Sequence, residues 1–477
     1  MNRTLYILPL FLILLPVTLH AQIGIGGSPH ASSVLDLQSP GNDKVFYPPR
    51  LSTAQRLAVA APQVGALVYD LDKGALYLFD GQNWLPLLTT ETNLLAPIRR
   101  TAADGTAGDR FGISVAISGD YALVGAYYKN VATNFGQGAA YVFVRSGNTW
   151  SQQQELVAGD GAPSDRFGIS VAISGDYALV GAYNKTIGSN SSQGAAYVFF
   201  RTGNNWVQQQ RLTAGDGATS DRFGFGVAIS GDYALVGADT KVIGGNLSQG
   251  AAYVFTRSGA TWSQQQRLVA GDAAAYDNFG ASVAIAGDYA LVGAYDKTVG
   301  SNSGQGAAYV FLRSGSSWSQ QQRLVAGDGA TNDGFGISVA ISGDYALVGA
   351  YTKVITSNNN QGAAYVFARS GSSWNQQQRL LAGDGAASDN FGMSVAISGD
   401  YALVGAYNKN IGGNSGQGTT YLFMRSANSW SQKQRIAENI APYTYNGCSV
   451  GLSNGSYLIG GYGFQNYQGK VGFGVIN

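Results

Sequence analysis

Runs of alternating apolar and polar residues recur along most of the chain. In the first full copy, four runs have strand character: Ile113–Ile117, Tyr121–Ala126, Ala139–Arg145 and Trp150–Leu156. The links between them contain glycine. Alternation over four to eight residues, bounded by Gly turn signals, is typical of β-strands. The pattern predicts an antiparallel meander of four strands.

This unit recurs six times without insertion or deletion. Each copy opens on Phe-Gly, and the phenylalanines lie 56 residues apart, at Phe111, Phe167, Phe223, Phe279, Phe335 and Phe391. A seventh, degenerate copy begins near Gly447 and has only three strand-like runs. A four-stranded meander repeated at a constant period is typical of β-propeller blades.

The segment before the first full copy resembles the strand that the seventh copy lacks. Leu94–Thr101 leads into Ala103-Asp104-Gly105 as Glu155–Ala158 leads into Gly159-Asp160-Gly161. We therefore expect an all-β, seven-bladed β-propeller of four-stranded antiparallel blades, closed by an N-terminal outer strand. The alternative is an open solenoid, which needs polar capping repeats rather than a complementary partial repeat.

The first 91 residues do not share the repeat. Residues 1–21 combine Arg3, an apolar run and a small-residue ending, which predicts a cleaved signal peptide. The alternative is an uncleaved membrane anchor. The predicted domains are this signal peptide, an N-terminal module at 22–91 and the propeller at 92–477.

A small β-hairpin is predicted within the N-terminal module. Ala66–Leu87 contains two alternating runs around a turn at Asp72-Lys73-Gly74, and Trp84 closes the hairpin. The Pro-rich stretch before Ala66 predicts an irregular arm.

Composition restricts the partners. Removal of Arg3 with the signal peptide leaves 28 of the 29 basic residues against 28 acidic ones. A neutral chain argues against nucleic acid or an anionic membrane as a partner. No other segment is apolar and long enough to span a bilayer, so no membrane insertion is expected after cleavage. Cys448, the only cysteine, cannot form an internal disulfide.

The repeat resembles a known family. Phe111-Gly112, the SVAI run and Leu123–Ala126 (LVGA) are similar to the FG-GAP repeat of integrin-alpha-type propellers, over roughly residues 94–477. The resemblance implies extracellular binding or adhesion. The family's calcium loop is shortened here to Ser118-Gly119-Asp120. The proline of GAP is replaced by Tyr127, Tyr183, Asp239, Tyr295, Tyr351 and Tyr407.

The N-terminal module has a resemblance of its own. Its IGIG, PHASSVLDLQS and PPRLSTAQR runs resemble a leader module of bacterial secreted and surface-displayed proteins. This resemblance implies display or attachment outside the cell. A passive spacer and a role in oligomerisation or anchoring are the alternatives.

Loop length predicts where a ligand binds. The links between strands two and three, and between successive repeats, are the longer ones, and in a propeller they lie on one face. Two residue types recur on that face and are the candidate ligand-binding residues: Lys129, Lys185, Lys241, Lys297, Lys353 and Lys409, beside Asp109, Asp165, Asp221, Asp277, Asp333 and Asp389. They form either exposed ion pairs of little energetic value or a polar ring that binds a repetitive ligand.

Metal binding is disfavoured. Asp160 and Asp165, which recur in later linkers, could share a cation, but such aspartates more often cap turns. Calcium needs six to eight oxygen ligands. No cofactor and no metal site are therefore predicted.

Catalysis is also disfavoured. Outside the signal peptide the chain has one histidine, His30, and one cysteine, so histidine-assisted nucleophilic catalysis and ordinary zinc sites lack their residues. Gly224 and Gly226 form a lone GxG that is a variant of the repeat.

The predicted function is that of a non-enzymatic secreted or cell-surface binding or adhesion protein. It would present the elaborated propeller face to an extracellular protein or glycan. The alternative is a multivalent carbohydrate-binding propeller that uses Trp150, Trp206, Trp262, Trp318, Trp374 and Trp430, although a structural role for these tryptophans is favoured. A carboxylate-dependent polysaccharide hydrolase is third.

Overall fold

A computed structural model describes residues 48–72, 75–79, 81, 84–88, 97–436, 438 and 441–476. Within these residues the chain is almost entirely β and forms eight four-stranded sheets. The predicted signal peptide and His30 lie outside the described residues.

The first sheet is built by the N-terminal module. Its elements are β1 (Arg50–Leu51), α1 (Thr53–Leu57), β2 (Leu67–Asp70), β3 (Ala75–Phe79) and β4 (Trp84–Leu88). β1 pairs parallel with β2, and the other pairs are antiparallel.

The predicted hairpin is confirmed as β2 and β3, but the module is larger than predicted. Trp84 begins a third antiparallel strand instead of closing the hairpin. The described part of the predicted irregular arm contains a strand and a short helix. Ser52 caps this helix through a capping box with Gln55, which satisfies two backbone donors that would otherwise lack partners.

Each full repeat forms one sheet whose strands pair in chain order. After β5 (Ile98–Arg100), the six repeat sheets consist of β6 (Ser114–Ser118), β7 (Tyr121–Ala126), β8 (Ala139–Ser146), β9 (Thr149–Leu156); β10 (Val171–Ser174), β11 (Tyr177–Ala182), β12 (Ala195–Thr202), β13 (Asn205–Leu212); β14 (Val227–Ser230), β15 (Tyr233–Ala238), β16 (Ala251–Ser258), β17 (Thr261–Leu268); β18 (Val283–Ala286), β19 (Tyr289–Ala294), β20 (Ala307–Ser314), β21 (Ser317–Leu324); β22 (Phe335–Ser342), β23 (Tyr345–Ala350), β24 (Ala363–Ser370), β25 (Ser373–Leu380); β26 (Phe391–Ser398), β27 (Tyr401–Ala406), β28 (Thr419–Ser426) and β29 (Ser429–Ile436). The predicted four-stranded meander is confirmed in every full repeat.

The last sheet combines both ends of the repeat region, and we call it the seam sheet. It contains β30 (Ser449–Ser453), β31 (Ser456–Gly461) and, after the short turn α2 (Phe464–Tyr467), β32 (Lys470–Val475). β5 pairs antiparallel with β32, with Arg100 opposite Val471 and Ile98 opposite Phe473. The prediction that the segment before the first repeat supplies the missing fourth strand is therefore confirmed.

Neighbouring sheets meet through a close contact of their backbones. The Ser114 hydroxyl donates to the carbonyl of Gly168 in the next repeat, at 2.9 Å. A methyl group on Gly125 would overlap that same carbonyl oxygen, so only glycine fits there. The contact recurs where the seam sheet meets the first repeat, because the Ser449 hydroxyl donates to the Gly112 carbonyl at 2.8 Å.

The hydrophobic core lies between the sheets. Leu123 and Val142 of the first repeat sheet pack with Val180 and Tyr197 of the second, and all four side chains are fully buried. Strands two and three are therefore buried on both faces. The phenylalanine of each Phe-Gly packs edge-on against a strand-three tyrosine, at 5.5 Å for Phe167 and Tyr197.

Amide side chains fasten the outer strands to one another. Gln154 accepts from the backbone N–H of Trp206 at 2.8 Å and donates to its carbonyl at 2.7 Å. Gln153 accepts from the Trp206 indole N–H at 3.2 Å, and the indole ring contacts Tyr121. The polar fourth strand is thus half-buried in contacts between sheets.

Candidate binding face

The two ends of each repeat sheet differ in loop length. At one end, tight Gly turns join strand one to strand two and strand three to strand four. At the other end lie the long connections, residues 127–138 and 157–170 in the first unit. Because the strands pair as a meander, all the long connections of a sheet lie at one end. We call this end the loop face.

The predicted lysines and aspartates come together on the loop face, but they are buried. Lys185 Nζ lies 2.9 Å from the Asp165 carboxylate and donates to the Asp160 carbonyl. The equivalent lysine–aspartate distances in the other five repeats are between 2.8 and 3.3 Å. The six lysines are at most 7% exposed. The expectation of exposed pairs was therefore wrong, because each ammonium is enclosed by its own linker.

The other aspartate of the linker, five residues before Asp165, completes this network. Asp160 accepts from the Tyr197 hydroxyl at 2.8 Å and from Arg211 at 2.5 Å, and its carboxylate lies 3.8 Å from Lys185 Nζ. Although burial acts against ionisation, these donors lower the pKa of Asp160. The assignment of the twelve lysines and aspartates as ligand-binding residues stays a prediction. A ligand that touched them would first have to displace the linker.

Turn capping is confirmed for the later aspartate of the linkers, whereas the earlier one, such as Asp160, binds side chains instead. Asp165 accepts from the Ala162 N–H at 2.7 Å, and the same bond recurs in later repeats. The shortened loop is also occupied, since Asp120 accepts from Arg145 Nε at 2.8 Å. In both places where carboxylates might have held calcium, a cationic side chain already pairs with them.

A set of tyrosines follows the GA of each repeat on the loop face. Five of the six repeats have tyrosine there, and the seam sheet has Tyr462. The exception is Asp239, which is 2% exposed and lies 3.2 Å from Arg222. Its Oδ1 atom has no partner among the described residues. Burial raises the pKa of Asp239 to about 6.

Arginine and aromatic residues gather where the first repeat meets the seam sheet. Arg110 lies over Tyr128 at 4.6 Å and over Tyr467 at 5.6 Å, and Arg166 lies over the Tyr128 ring at 3.7 Å. A pocket of about 310 Å³ opens here, with Arg110, Tyr128, Asn130, Phe135 and Tyr467 in its lining. We call it the seam pocket.

Sequence reasoning missed the seam pocket. Tyr127 was noticed only as a departure from the GAP motif, and neither Arg110 nor Phe135 was singled out. A comparison of the copies could have found the pocket: Phe135 stands where later repeats have Ser191, Leu247, Ser303, Asn359 and Ser415. An aromatic side chain at an exposed loop position that is small or polar in four of the other five repeats marks a place where the first repeat differs from the rest.

A separate cavity lies between the first strands and is open to the surface. It measures about 270 Å³ and is lined by the first strands of all six repeat sheets and of the seam sheet, mostly by their Val-Ala-Ile residues. This lining provides van der Waals contact and few polar side chains to orient a ligand.

The recurring tryptophans have the structural role that was favoured. They are between 1% and 3% exposed, and their rings pack between outer strands. A sugar would have no open indole face on which to stack. Cys448 is also an unsuitable nucleophile, because burial raises the pKa of its thiol to about 11.

Removal of one lysine of the network should destabilise the fold. Lys241→Met keeps the volume but leaves the Asp221 carboxylate, 2.8 Å away, buried without its cation. We expect a loss of roughly 3–5 kcal/mol in the free energy of unfolding, measured by urea titration. Lys433→Met, at an exposed position of β29, is the control and should change it by less than about 0.5 kcal/mol. Equal effects of both changes would contradict a structural role for the buried lysines.

Asp239 should make stability depend on pH. Because its folded pKa is raised above the ordinary value of 3.8, the folded chain binds a proton more tightly between pH 4 and 6. The free energy of unfolding should fall across that window as pH rises, by roughly 2–3 kcal/mol relative to Asp239→Asn. The two proteins are compared by urea titration at pH 4.5 and pH 8.

The matched control is Tyr295→Phe, which alters another member of the same tyrosine set. The pKa of Tyr295 is raised to about 12, so this side chain does not titrate between pH 4 and 8. Its effect on stability should be the same at both pH values. A parallel pH response of wild type and Asp239→Asn would show that Asp239 ionises freely.

Two protein families match the chain. The FG-GAP repeat matches residues 99–143, 150–199, 206–255, 262–311, 318–367 and 374–423. The phage tail like trimerisation region matches residues 22–101. No curated protein matches the whole chain or part of it. No helix among the described residues is both long and apolar enough to cross a membrane. FG-GAP repeats are typical of extracellular, propeller-type binding domains that are in general non-catalytic, and the matches cover more than half of the sequence. The chain therefore belongs to the FG-GAP repeat family.

Proposed function

We propose that the protein is a non-enzymatic, secreted or cell-surface binding and adhesion protein. Its loop face would engage an extracellular protein or glycan. The observation that carries this proposal is the difference between the two ends of the sheets: one end has only tight turns, whereas the other has long loops, partly buried arginines and exposed aromatic residues. Rigid sheets that support elaborated loops are a common design for binding.

The proposal includes a closed ring of seven blades. Three observations support it: β5 pairs with β32, β30 packs beside both β26 and β6, and one cavity is lined by the first strands of seven sheets. The eighth sheet is that of the N-terminal module. A ring would place seven sets of loops around a common axis, and an open solenoid would not bring β30 to β6.

The binding test blocks one face at a time. Single cysteines are introduced at Ser357 on the loop face or at Ser372 in a tight turn of the same repeat, both exposed, and each is coupled to polyethylene glycol. Cys448 should react slowly because its pKa is raised to about 11. Binding of the mature chain to a glycan array and to immobilised matrix proteins should be lost with the loop-face label alone. Loss with the tight-turn label instead would overturn the assignment of the face.

We propose further that the N-terminal module assembles the chain into a trimer. The match to a trimerisation region supports this, and so does its surface: Leu57, Val64 and Leu71 are between 49% and 74% exposed within fifteen residues. Isolated apolar residues are ordinary on a surface, but a cluster of this kind is typical of an interface. The module itself is held together by Arg56 Nε, 2.8 Å from the fully buried Asp70.

Sedimentation velocity tests the trimer. The mature chain should sediment as a trimer at micromolar concentration, and Leu57→Ser with Val64→Ser should convert it to a monomer because the apolar contact is lost. Leu247→Ser, at an exposed apolar residue of a propeller loop, is the control and should leave the trimer intact. A monomeric wild-type chain would contradict the proposed trimer but would leave the assignment of the loop face as the binding face unchanged.

A further inference from the structure

The seam pocket has features that the other junctions between repeats lack. It lies beside a row of tyrosine rings that continues from it across the loop face. Tyr467 and Tyr462 have ring centroids 6.2 Å apart, Tyr462 and Tyr445 are stacked at 5.0 Å, and Tyr445 and Tyr443 are 6.4 Å apart. In the preceding repeat, Ser388 and Asn390 make the backbone contacts that Tyr443 and Tyr445 make here. The row therefore belongs to the seam alone.

Arg110 stands where this row meets the pocket. Its guanidinium donates to the Tyr127 hydroxyl and lies within 6 Å of the rings of Tyr462 and Tyr467. Neither Arg110 nor Arg166 has a carboxylate partner among the described residues, whereas Arg222 pairs with Asp239. The adjacent Asp109 is already engaged by Lys129 at 3.3 Å. Asp109 also lines the pocket, but Lys129 matches its charge; Arg110 is the one charged residue of the lining with no ion-pair partner among the described residues.

The backbone at these arginines is strained. Arg110 has φ 57° and Arg166 has φ 64°, in the left-handed region that disfavours side chains with a Cβ. At the same position, repeats four to six have Asn278, Gly334 and Asn390, which suit this conformation. Arginine is less favourable there than asparagine or glycine, and packing does not require it, since three repeats have another residue; Arg222 is the third arginine at this position. One buried nitrogen of Arg166, Nη1, also lacks a hydrogen-bond partner.

We propose that the seam pocket binds a uronic acid residue of an acidic oligosaccharide, which continues along the tyrosine row. The guanidinium of Arg110 binds the sugar carboxylate, because arginine matches the planar carboxylate fork and its charge is unpaired. Phe135, 65% exposed, and Tyr467, 40% exposed, provide aromatic walls for the faces of the ring. Asn130 lies in the same lining; its Oδ1 accepts from the Gly136 N–H at 2.8 Å, so its NH2 group is oriented to donate to a sugar hydroxyl.

A saccharide suits the site better than an acidic peptide. A pyranose ring is rigid, so it fills the space between two aromatic walls with less ordering cost than a flexible peptide would incur. The row of four tyrosines offers successive ring edges and hydroxyl groups, which fits a chain of successive hydroxyl-bearing rings. This inference rests on the proposed binding function and assigns its ligand class.

The test measures binding of defined probes to the mature chain by isothermal titration calorimetry. The probes are a tetramer of galacturonic acid, its methyl ester, which lacks the charge, and a tetraglutamate peptide. We expect the acidic tetramer to bind at least about tenfold more tightly than either of the other two, because only it combines carboxylates with rings. Tighter binding of the peptide would overturn the saccharide class, and equal binding of the ester would overturn the role of the charge.

Two variants locate the site. Arg110→Gln should weaken binding of the tetramer about tenfold or more, and Phe135→Ser, which installs the residue of three later repeats, should weaken it by roughly fivefold. Arg379→Gln removes the same charge from an outer strand and should change binding less than about twofold. Melting temperatures near that of the wild type verify folding. Equal weakening by Arg379→Gln and Arg110→Gln would refute the site.

The outcome is separable from that of the proposed function. If the tetramer does not bind at millimolar concentration while the loop-face label still blocks binding to the array or to matrix proteins, the ligand class is wrong and the binding face stands. If neither experiment detects binding, both proposals fail together.

Discussion

The structure depends on how closely the backbones of neighbouring sheets approach one another. The carbonyl of each Phe-Gly glycine lies against the glycine of the preceding LVGA, with no room for a side chain between them, as at Gly168 and Gly125. The serine of the first strand donates to the same carbonyl. This contact fixes the spacing and tilt of successive sheets, and the buried tyrosines, phenylalanines and tryptophans fill the space that it defines. The contact joins glycines that are 43 residues apart in the first five repeats, as Gly125 and Gly168 are, but 42 apart where Gly405 meets Gly447 of the seam sheet, so the connecting loops tolerate a change of one residue.

Much of the fold could be predicted from the sequence because its determinants are local. The alternation and the Gly turns fixed the strands to within a residue or two, and the partial repeats at the two ends identified β5 as the missing strand. The burial and the hydrogen-bond partners of charged and amide side chains could not be predicted in the same way. The Lys185 ammonium donates to the carbonyl of Asp160, 25 residues upstream. Gln154 forms a hydrogen bond with the backbone of Trp206, 52 residues downstream. A polar residue in a repeat looks exposed until the next repeat is placed beside it.

The candidate site was missed for a related reason. Repeats draw attention to what every copy shares, and the shared lysines and aspartates are committed to internal hydrogen bonds. The side chains that are free to contact a ligand lie where the copies differ: at Arg110 and Phe135 in the first repeat and at the tyrosines of the seam sheet. The seam sheet illustrates the difference. It lacks the loop lysine of the full repeats, and a buried pair between Lys470 and Glu438, 2.5 Å apart, takes its place within the sheet. The loop of the seam sheet is therefore not part of the lysine–aspartate network, and it carries aromatic residues such as Tyr462 and Tyr467.

A neutral chain can still bind an anion, provided that recognition acts at short range. The nearly equal numbers of basic and acidic residues, 29 and 28, leave no extended positive field, and at physiological salt such a field would be screened beyond about 8 Å. Nucleic acids, which bind through many phosphates at once, would gain little here. A single carboxylate held in the seam pocket needs no long-range field, because the partly buried guanidinium of Arg110 interacts with it directly in a less polar surrounding. Weak recognition of this kind becomes useful when it is repeated. In the proposed trimer, three copies of the pocket would face a polymer that carries the same acid many times. Such a trimer would bind the polymer far more tightly than a single pocket would.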